Sequence, residues 1–379
     1  MRVVFVSHLH PPHGAPLANV GGLQRVSMQL CRELHRHREV ELLEIVNHTS
    51  WRWADLTGTL FGLDLLVNLP RRARTFGTDL ILFTSMASSV LAPGLRPRCR
   101  MPLVTINHGH DVTLDSKLYQ WRVREAFGAL DGVISVSRAT RQACIERGMD
   151  PDKGIALPNG FDLDDLDRQH ERGAARAALA RRLGIELDGR HVLLTVGRMV
   201  ARKGHAWFLR EVFAQLPASC VYVTIGDGPE RAKIEGATAS LGADAARVVH
   251  LGKVPDEILA EAYAGADLFV MPNVRVPGDM EGFGIVQLEA NIARTPVVTA
   301  AMEGMLDVIT DGQNGVYCRP EDPAAFVAAI RELVEGPPEA LGEFGERARA
   351  HALDNFGWDR VAQRYVDFLH DVIDRRARA

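Results

Sequence analysis

Cysteine is scarce in this sequence, and its placement excludes two classes of protein. The 379-residue chain has five cysteines, which are scattered, odd in number and without the spacing of metal ligands: Cys31, Cys99, Cys144, Cys220 and Cys318. Disulfide-stabilised proteins of oxidising compartments carry paired cysteines at regular spacings. The pattern therefore indicates reduced thiols in a cytoplasmic protein, and neither a disulfide framework nor a metal site.

Long apolar runs and an excess of one charge are also absent. No uninterrupted apolar stretch is long enough to span a bilayer, and the apolar run at the N-terminus is too short for a signal peptide. The formal net charge of −4 gives no reason to expect nucleic acid as a partner. With 46% hydrophobic and 24% charged residues, the composition predicts a soluble globular protein that lies, at most, on a membrane surface.

The sequence does contain a regular alternation of strands and helices, and its length suits two domains. In the first half, apolar runs predict strands at 3–6, 40–46, 80–83, 104–106, 133–136 and 155–157. In the second half, they predict strands at 191–196, 221–225, 248–251, 268–271 and 297–299. Strands that alternate with helix-length segments predict doubly wound α/β domains.

The turn PNGFD (158–162) and the acidic run after it separate the two halves. Turn residues after a strand are typical of a connection, so we predict the domain linker here. Asp162 and Asp164 have the spacing of a metal-binding pair, but no supporting ligands accompany them. We interpret these two carboxylates as solvated.

Two loops of the first half follow strands and carry candidate site residues. Gly22, in GGLQRV (21–26), precedes a helix; this pattern is typical of a phosphate or sugar site and equally of a tight entry turn. The motif NHGHD (107–111) follows the fourth strand, where ligands of open α/β sheets bind. Because two histidines, an asparagine and an aspartate crowd this point, we favour a functional role for His108 over a histidine satisfied in a strand-end hydrogen bond.

The loops after three consecutive strands of the second half suit an anionic ligand. Their glycine, cationic and apolar residues are Gly197, Arg198 and Lys203 after the first strand, Gly226 after the second, and Lys253 and Val254 after the third. The spacing differs from a P-loop and no Lys-Ser/Thr pair is present, which excludes that class of NTPase. Two cations at a strand end can neutralise a diphosphate leaving group, a role that metals fill elsewhere.

The segment GDMEGFGIVQLEA (278–290) begins as a glycine loop and continues with apolar residues at helical spacing. The residues of interest are Glu281, Gly282, Gly284, Ile285 and Glu289. The glycines let backbone amides approach a ligand, and a helix N-terminus favours an anion such as a diphosphate. The glutamates are suited to accept hydrogen bonds from sugar hydroxyls. The alternative is an ordinary loop–helix junction with a solvated glutamate.

Residues 51–76 carry aromatic and leucine side chains and end in Arg71, Arg72 and Arg74. A helix of this composition can lie at an anionic membrane interface. It can equally be a core-packing helix whose basic end is solvated. The sequence leaves both interpretations open.

Together these motifs resemble the retaining GT-B glycosyltransferases, in particular family 4 (glycosyl transferases group 1), which includes bacterial mannosyl- and glucosyltransferases. The resemblance extends through nearly the whole chain. Its carriers are GGLQRV (21–26), NHGHD (107–111), SVSRAT (135–140), PNGFD (158–162), GRMVARKG (197–204), GDGPE (226–230), LGKV (251–254) and EGFGIVQLEA (281–290). The last is the most specific, because its glutamate pair with seven residues between them follows Gly-Arg…Lys at the family's distance.

The resemblance implies two Rossmann-like doubly wound domains with parallel sheets, facing across a cleft. Residues 1–165 would form an N-terminal acceptor-side domain, with a C-terminal helix of about 358–379 packing back on it. Residues 166–357 would form the C-terminal domain that binds the nucleotide sugar.

The resemblance also implies roles for single residues. Arg198 and Lys203 would contact the diphosphate, and His108 would lie near the reacting sugar. Glu281 would hold the sugar and phosphate, and Glu289 the ribose hydroxyls. The other donor-binding positions that it implies are Gly22, Gly197, Gly226, Lys253, Val254, Phe283, Gly284 and Ile285.

Two positions depart from the family pattern. Arg294 stands where a glycine usually lies between the glutamate helix and the next proline. Glu303-Gly304-Met305-Leu306-Asp307 replaces the usual Gly-Gly-hydrophobe-Pro-Glu loop. By the resemblance, both changes lie on the sugar side of the donor pocket. They therefore affect the prediction of which sugar is used more than the prediction that the protein is active.

By this resemblance we expect a retaining hexosyltransferase. It would move a hexose from a UDP- or GDP-linked sugar to a hydroxyl of a polysaccharide, lipid-linked or small glycoside precursor, without a metal or other cofactor. The protein would be cytoplasmic, either free or peripheral at the inner membrane face. The alternatives are a GT-B epimerase or phosphorylase, and an inactive nucleotide-sugar-binding subunit.

Overall fold

Within the described residues, parallel strands form two six-stranded sheets, one in each of two structural units. The computed structural model describes residues 1–12, 22–49, 53–161 and 171–378. The first unit comprises Met1–Phe161, Gly278–Phe283 and Phe356–Ala379, and the second comprises Asp162–Pro277 and Gly284–Asn355. The prediction of an α/β protein with two doubly wound parallel sheets is confirmed.

The predicted boundary between residues 165 and 166 lies outside the described residues, as do Asp162 and Asp164. The units also differ from the predicted ranges in two other places, residues 278–283 and residues 356–357. Residues 278–283 lie inside the predicted C-terminal range, but their contacts group them with the first unit.

The sheet of the first unit has the order β2-β1-β3-β4-β5-β6. Its strands are β1 (Arg2–His10), β2 (Glu41–His48), β3 (Leu80–Phe83), β4 (Leu103–Asn107), β5 (Gly132–Ser135) and β6 (Gly154–Ala156). Every residue of β3 and β4 is buried, because helices cover both faces of a parallel sheet. The strand order reverses between β1 and β3, so the carboxyl ends of these two strands form the topological switch point where open α/β sheets bind ligands.

Seven described helices lie between these strands or follow them. They are α1 (Gly22–Arg36), α2 (Ala54–Phe76), α3 (Met86–Ser89), α4 (Ala92–Leu95), α5 (His110–Thr113), α6 (Lys117–Ala129) and α7 (Arg138–Glu146). The stripe of Val26, Leu30 and Leu34 on α1 is buried, as its helical spacing predicts.

The sheet of the second unit has the order β12-β11-β10-β7-β8-β9. Its strands are β7 (His191–Val196), β8 (Cys220–Ile225), β9 (Val248–Gly252), β10 (Leu268–Met271), β11 (Val297–Ala300) and β12 (Gly315–Cys318). Here the order reverses between β7 and β10. The switch point of this sheet therefore lies where Gly197 follows β7 and Pro272 follows β10.

The helices of this half are α8 (Arg172–Leu183), α9 (His205–Trp207), α10 (Arg231–Ala239), α11 (Asp256–Gly265), α12 (Val286–Ile292), α13 (Met305–Val308), α14 (Pro323–Val334) and α15 (Pro338–Phe356). The helix α9 continues as a π-helical turn, Phe208–Val212. The wide turn places Phe208 and Phe213, five residues apart, against the same ring of Tyr222, at centroid distances of 4.9 and 5.9 Å.

The last helix, α16 (Trp358–Arg378), belongs to the first unit. The indole N–H of Trp358 donates to Gln29 Oε1 of α1 at 3.2 Å. Just before α16, the backbone N–H of Phe161 donates to the carbonyl of Phe356 at 3.1 Å. Hydrogen bonds thus tie the C-terminal segment to both α1 and the end of the first stretch of the unit.

The helix α2 packs on the core with one face only. Leu65, Leu69 and Ala73 are buried in the core of the first unit. The opposite face carries an apolar row with exposed fractions between 53% and 68%, formed by Trp53, Leu56, Leu60, Leu63 and Val67. One face of α2 therefore packs in the core, as one of the two interpretations of residues 51–76 has it, and the opposite face is exposed. No described helix is long and apolar enough to cross a membrane. All five cysteines are buried, and none of them forms a disulfide.

Candidate functional site

Two histidines lie at the switch point of the first sheet. His8, near the end of β1, has its Nδ1 2.9 Å from Oγ of Ser85, which follows β3. His108, directly after β4 as predicted, has its Nε2 2.9 Å from the carbonyl oxygen of Thr84. Because a carbonyl only accepts, the Nε2–H of His108 is the donor in this contact. The two side chains line the edge of the sheet where ligands bind.

Asp111 fixes the loop that carries His108. Its Oδ1 accepts from the backbone N–H of His108 at 2.8 Å, and its Oδ2 accepts from that of Met86 at 2.9 Å. The hydroxyl of Tyr119 donates to the Asp111 carbonyl at 2.6 Å. The Asp111 carboxylate therefore holds the segments after β3 and β4 side by side. Of the polar residues at 107–111, Asp111 thus has a structural role.

His8 is a residue of this site that the sequence did not reveal. Burial lowers the pKa of His8, nearby His108 acts in the same direction, and Asp111 opposes both. The ring is therefore neutral at neutral pH. Its signal in the sequence was only its place just beyond the apolar run 3–6.

The loop 278–283 lies directly on the His108 loop. A Cβ added to Gly282 would lie 1.8 Å from the carbonyl oxygen of His108. A Cβ added to Gly109, whose φ is +98°, would lie 2.7 Å from the Cα of Gly282. Only glycine at both positions permits this contact. Glu281 is buried beside Gly282, so two predicted catalytic residues, His108 and Glu281, belong to one local arrangement.

Side chains of the first unit anchor the same loop at three further points. The Oγ1 of Thr113 donates to the Gly278 carbonyl at 3.2 Å, and the Oγ1 of Thr140 donates to the Gly282 carbonyl at 3.4 Å. His110 Nδ1 lies 3.5 Å from Asp279 Oδ1. These contacts hold Glu281 in place from both sides along the chain.

In the second unit, hydrogen bonds join the glycine loops that follow β7, β8 and β9. The N–H of Gly197 donates to the Ile225 carbonyl at 2.9 Å, and that of Gly226 donates to the Gly252 carbonyl at 2.8 Å. A Cβ on Gly226, whose φ is +137°, would lie 1.9 Å from the Gly197 carbonyl oxygen. Only a glycine at position 226 therefore allows this loop to pack against the Gly197 loop.

The cations of these loops differ in exposure. Lys203 ends a short 3₁₀ turn and is only 5% exposed, and its Cε and Nζ lie 3.5 and 3.8 Å from the position of a Cβ on Gly197. Arg198 and Lys253 are exposed, and Val254 is half-buried. The structure thus brings Gly197, Lys203 and Gly226 together at one sheet edge.

Glu289 is buried on α12, and the Tyr263 hydroxyl donates to its Oε2 at 2.7 Å. The helix begins at Val286 and has seven residues, so its dipole is that of a short helix. The N–H groups of Gly284 and Ile285 donate to no backbone carbonyl of the described residues, which leaves them available to an anion. The predicted glycine-loop and helix arrangement is therefore present.

A buried polar chain behind Lys203 was also missed by the sequence analysis. His205 Nδ1 lies 3.2 Å from the Tyr222 hydroxyl, which donates to Thr195 Oγ1 at 3.0 Å, and Thr195 donates to the Val270 carbonyl at 2.6 Å. Burial, then Lys203 and His250, lower the pKa of His205 to about 3. The neutral ring packs next to the loop of Lys203 without adding a second charge.

Two further predicted donor-binding positions, Gly22 and Phe283, lie in the first unit. Gly22 begins α1 in an exposed position, and nothing lies within 4 Å of a Cβ added to it; Gly21 lies outside the described residues. Phe283 belongs to the first unit, where its ring lies 6.1 Å from that of Phe356. The structure does not bring Gly22 into the contacts described above.

Both departures from the family pattern have left-handed backbone. Arg294 has a φ of +63° and Glu303 a φ of +50°. Glycine adopts this region freely, whereas a side chain there costs about 1 kcal/mol or more. Arg294 Nε lies 2.6 Å from Glu346 Oε1, an exposed ion pair that offsets part of this strain. At Arg294 and Glu303 the backbone therefore has the left-handed conformation typical of glycine, although both residues carry long side chains.

Two family models match the chain. The model described as "Glycosyl transferases group 1" matches residues 190–336, and the model described as "Glycosyltransferase Family 4" matches residues 20–165. Between them the models cover the two predicted domains and nearly all the motifs discussed above.

The chain is also similar to curated proteins. It is 31% identical over 288 residues to a GDP-mannose-dependent alpha-(1-6)-phosphatidylinositol monomannoside mannosyltransferase of Mycolicibacterium smegmatis, across 74% of this chain and 73% of the relative. It is 36% identical over 246 residues to a D-inositol 3-phosphate glycosyltransferase of Geodermatophilus obscurus, across 62% of this chain and 51% of that relative. The match thus spans only about half of the second relative's length.

Solved structures share the fold. The catalytic domain of starch synthase IV from Arabidopsis thaliana, bound to ADP and acarbose, superposes with a TM-score of 0.78 at 15% identity and 99% coverage of both chains. Anabaena HepE in complex with UDP superposes with a TM-score of 0.74 at 21% identity, covering 98% of this chain and 100% of that one. At these identities the likeness shows the fold alone.

Proposed function

The chain belongs to the group 1 glycosyltransferases of the GT-B fold, and we propose that it transfers a hexose from a UDP- or GDP-linked sugar to a hydroxyl with retention of configuration. The observation that carries the proposal is buried Lys203, which lies beside the Gly197 loop at the carboxyl edge of the second sheet. An ammonium group at a ligand-binding edge suits a diphosphate, because the anion compensates its charge.

The proposed transfer relies on charge that develops as the bond between sugar and diphosphate breaks. The sugar becomes oxocarbenium-like, and negative charge builds on the departing diphosphate. Arg198 and Lys203 stabilise that charge more strongly in the transition state than in the bound donor. Since two side-chain cations take the part that a metal fills elsewhere, we propose a transfer that needs neither metal nor cofactor.

The acceptor hydroxyl is proposed to attack the face from which the diphosphate departs. Its oxygen forms the new bond to the anomeric carbon, and its proton passes to an oxygen of the leaving diphosphate. Glu281 acting as a nucleophile is the competing mechanism and requires a covalent glycosyl–enzyme intermediate. Mass spectrometry of enzyme mixed with donor distinguishes the two: retained product without an adduct supports attack on the same face, and an adduct on Glu281 contradicts it.

Two similarities bear on the donor and the acceptor. The name of the M. smegmatis relative states dependence on GDP-mannose, and HepE was solved with UDP and with UDP-glucose. The same relative's name states a phosphatidylinositol mannoside as its acceptor. We propose a polysaccharide, lipid-linked or small glycoside precursor as the acceptor of this chain.

We also propose that the protein is cytoplasmic and contacts the inner membrane face peripherally through α2. The exposed apolar row of α2, from Trp53 to Val67, suits the boundary between headgroups and acyl chains. Arg71, Arg72 and Arg74, exposed near the end of the same helix, suit anionic headgroups.

A thermal-shift screen with UDP, GDP and ADP identifies the base, because a ligand that binds the folded state raises its apparent stability. Product analysis with a labelled donor then tests the activity. Transfer requires an acceptor, whereas an epimerase converts the donor alone, a phosphorylase forms a sugar phosphate, and an inactive binding subunit gives no product above background. With an acceptor present, an epimerised donor, a sugar phosphate or no product above background, in place of a glycoside, would overturn the proposal.

A further inference from the structure

Three metal-ligating side chains converge outside the site described above. Cys31 and His35 lie one helical turn apart on α1, and Glu44 lies on the edge strand β2. The Sγ of Cys31, a ring nitrogen of His35 and a carboxylate oxygen of Glu44 all lie within 4.8 Å of one another. We call this group the α1–β2 cluster. None of its members has a part in the proposed transfer reaction.

The α1–β2 cluster combines ligand types that suit one class of ion. A thiol, an imidazole and a carboxylate are together the ligand set of borderline divalent metals, of which Zn²⁺ binds all three types. His35 Nε2 lies 2.5 Å from Glu44 Oε1, so two of the three ligand atoms already meet. We propose that the α1–β2 cluster is a Zn²⁺ site with three protein ligands and a fourth position open to water.

The geometry requires only side-chain movement. Zn²⁺ bonds of about 2.0–2.3 Å in a tetrahedral arrangement separate ligand atoms by roughly 3.5 Å. The contact between His35 and Glu44 must therefore open by about 1 Å, and no pair of ligand atoms needs to close by more than about 1.3 Å, because all lie within 4.8 Å of one another. The side chains of His35 and Glu44 are 46% and 44% exposed, so both can turn and an ion can reach them. Cys31, by contrast, is buried.

Metal binding would have a structural consequence. Cys31 releases its thiol proton to solvent, and the ion joins α1 to β2 in place of a hydrogen-bonded His–Glu pair. Because the unfolded chain does not hold these ligands together, binding stabilises the folded state. The site would thus fasten the outer strand of the first sheet to the helix that covers it.

The test uses the full chain purified without metal. Zn²⁺ should raise the melting temperature, and Co²⁺ should give near-ultraviolet charge-transfer absorption that only a thiolate ligand produces. Cys31→Ser should abolish the absorption, and His35→Gln and Glu44→Gln should each weaken Zn²⁺ binding by about tenfold or more, as a lost ligand costs at least as much as a lost supporting contact. The last two positions are exposed, so these variants keep the fold.

Matched controls make the test specific. Cys99→Ser removes another buried cysteine of the same unit, and Glu33→Gln removes another carboxylate of α1. Both should bind Zn²⁺ and Co²⁺ as the unchanged chain does. Absence of thiolate absorption in the unchanged chain overturns the proposal, as does absorption that survives in Cys31→Ser or binding unaffected by both His35→Gln and Glu44→Gln.

Discussion

Lys203 is the residue on which the proposed chemistry depends most directly. Removing one preorganised donor from a developing anion lowers turnover by about 10²–10³-fold in comparable sites. We expect Lys203→Ala to lower kcat in that range while the protein stays folded, and Arg198→Ala to have an effect in the same direction. Steady-state kinetics, with circular dichroism to verify the fold, provide the measurement.

Arg210 supplies the control for this prediction. It is an exposed cation that follows Lys203 closely in the chain, and Arg210→Ala should leave kcat unchanged. Near-normal turnover in both Lys203→Ala and Arg198→Ala would exclude the proposed stabilisation of the diphosphate.

His205 makes the stability of the protein depend on pH. Its pKa is about 3 in the folded state and 6.5 in the unfolded chain, so above pH 6.5 the ring is neutral in both states and contributes nothing. As the pH falls below 6.5, the unfolded chain takes up a proton that the folded chain does not, and stability is lost until about pH 3. At pH 5 the loss amounts to about 2 kcal/mol, from 1.36 kcal/mol per pH unit.

His205→Gln should remove this loss. Between pH 7.5 and 5, the free energy of unfolding of the variant should fall by about 2 kcal/mol less than that of the unchanged chain, measured by urea denaturation. His37→Gln, at a histidine bonded to Gln363 at the surface, serves as the control and should follow the unchanged chain. Equal losses in His205→Gln and the unchanged chain would show that His205 is protonated in the folded state.

At the scale of single elements, α2 provides the sharpest test. If its apolar row meets the membrane, the double variant Leu60→Ser and Leu63→Ser should lose most of its binding to vesicles that contain anionic phospholipid, because two of the five inserted side chains become polar. Vesicle co-sedimentation measures the bound fraction. Leu118→Ser changes an equally exposed leucine on α6 and should bind as the unchanged chain does. Unchanged binding of the double variant, or no binding of the unchanged chain, contradicts the membrane proposal.

Most strands could be predicted because each buried parallel strand is a short continuous apolar run. The predicted strands 80–83, 191–196 and 268–271 begin and end where β3, β7 and β10 do. β12 was missed; Gly315–Cys318 is a short edge strand whose middle residues are only half-buried.

The candidate site could be predicted only where a residue's function follows from its place at a strand end. His108 met that condition. The contact of Gly109 with Gly282 joins distant parts of the chain, so no local pattern revealed it. His205 was hidden because its role depends on Tyr222 of a different strand. The Cys31–His35 spacing acquires meaning only when β2 brings Glu44 beside it.

At the scale of the whole molecule, two sheets with separate cores predict two unfolding transitions. Ile81 in β3 and Leu268 in β10 are fully buried, so changing either to alanine should destabilise its own unit by about 2–5 kcal/mol. The calorimetric enthalpy of unfolding should exceed the van't Hoff enthalpy, because more than one unit unfolds. Each variant should lower the midpoint temperature of a different transition.

A nucleoside diphosphate should raise the midpoint temperature of one transition only, the one that Leu268→Ala lowers. The reason is that the proposed diphosphate contacts belong to the second unit. The Ile81→Ala variant is the matched control, because its transition should not respond to the nucleotide. A single transition that both variants lower alike would show that the units unfold together.

The grouping of residues 278–283 with the first unit limits how this molecule can be recombined with its relatives. A chimaera that joins residues 1–161 to a foreign second half would lose Gly282 from beneath the His108 carbonyl and Trp358 from beside α1. A functional exchange must therefore transplant three separate pieces of sequence: the N-terminal stretch, the short glutamate loop and the closing helix.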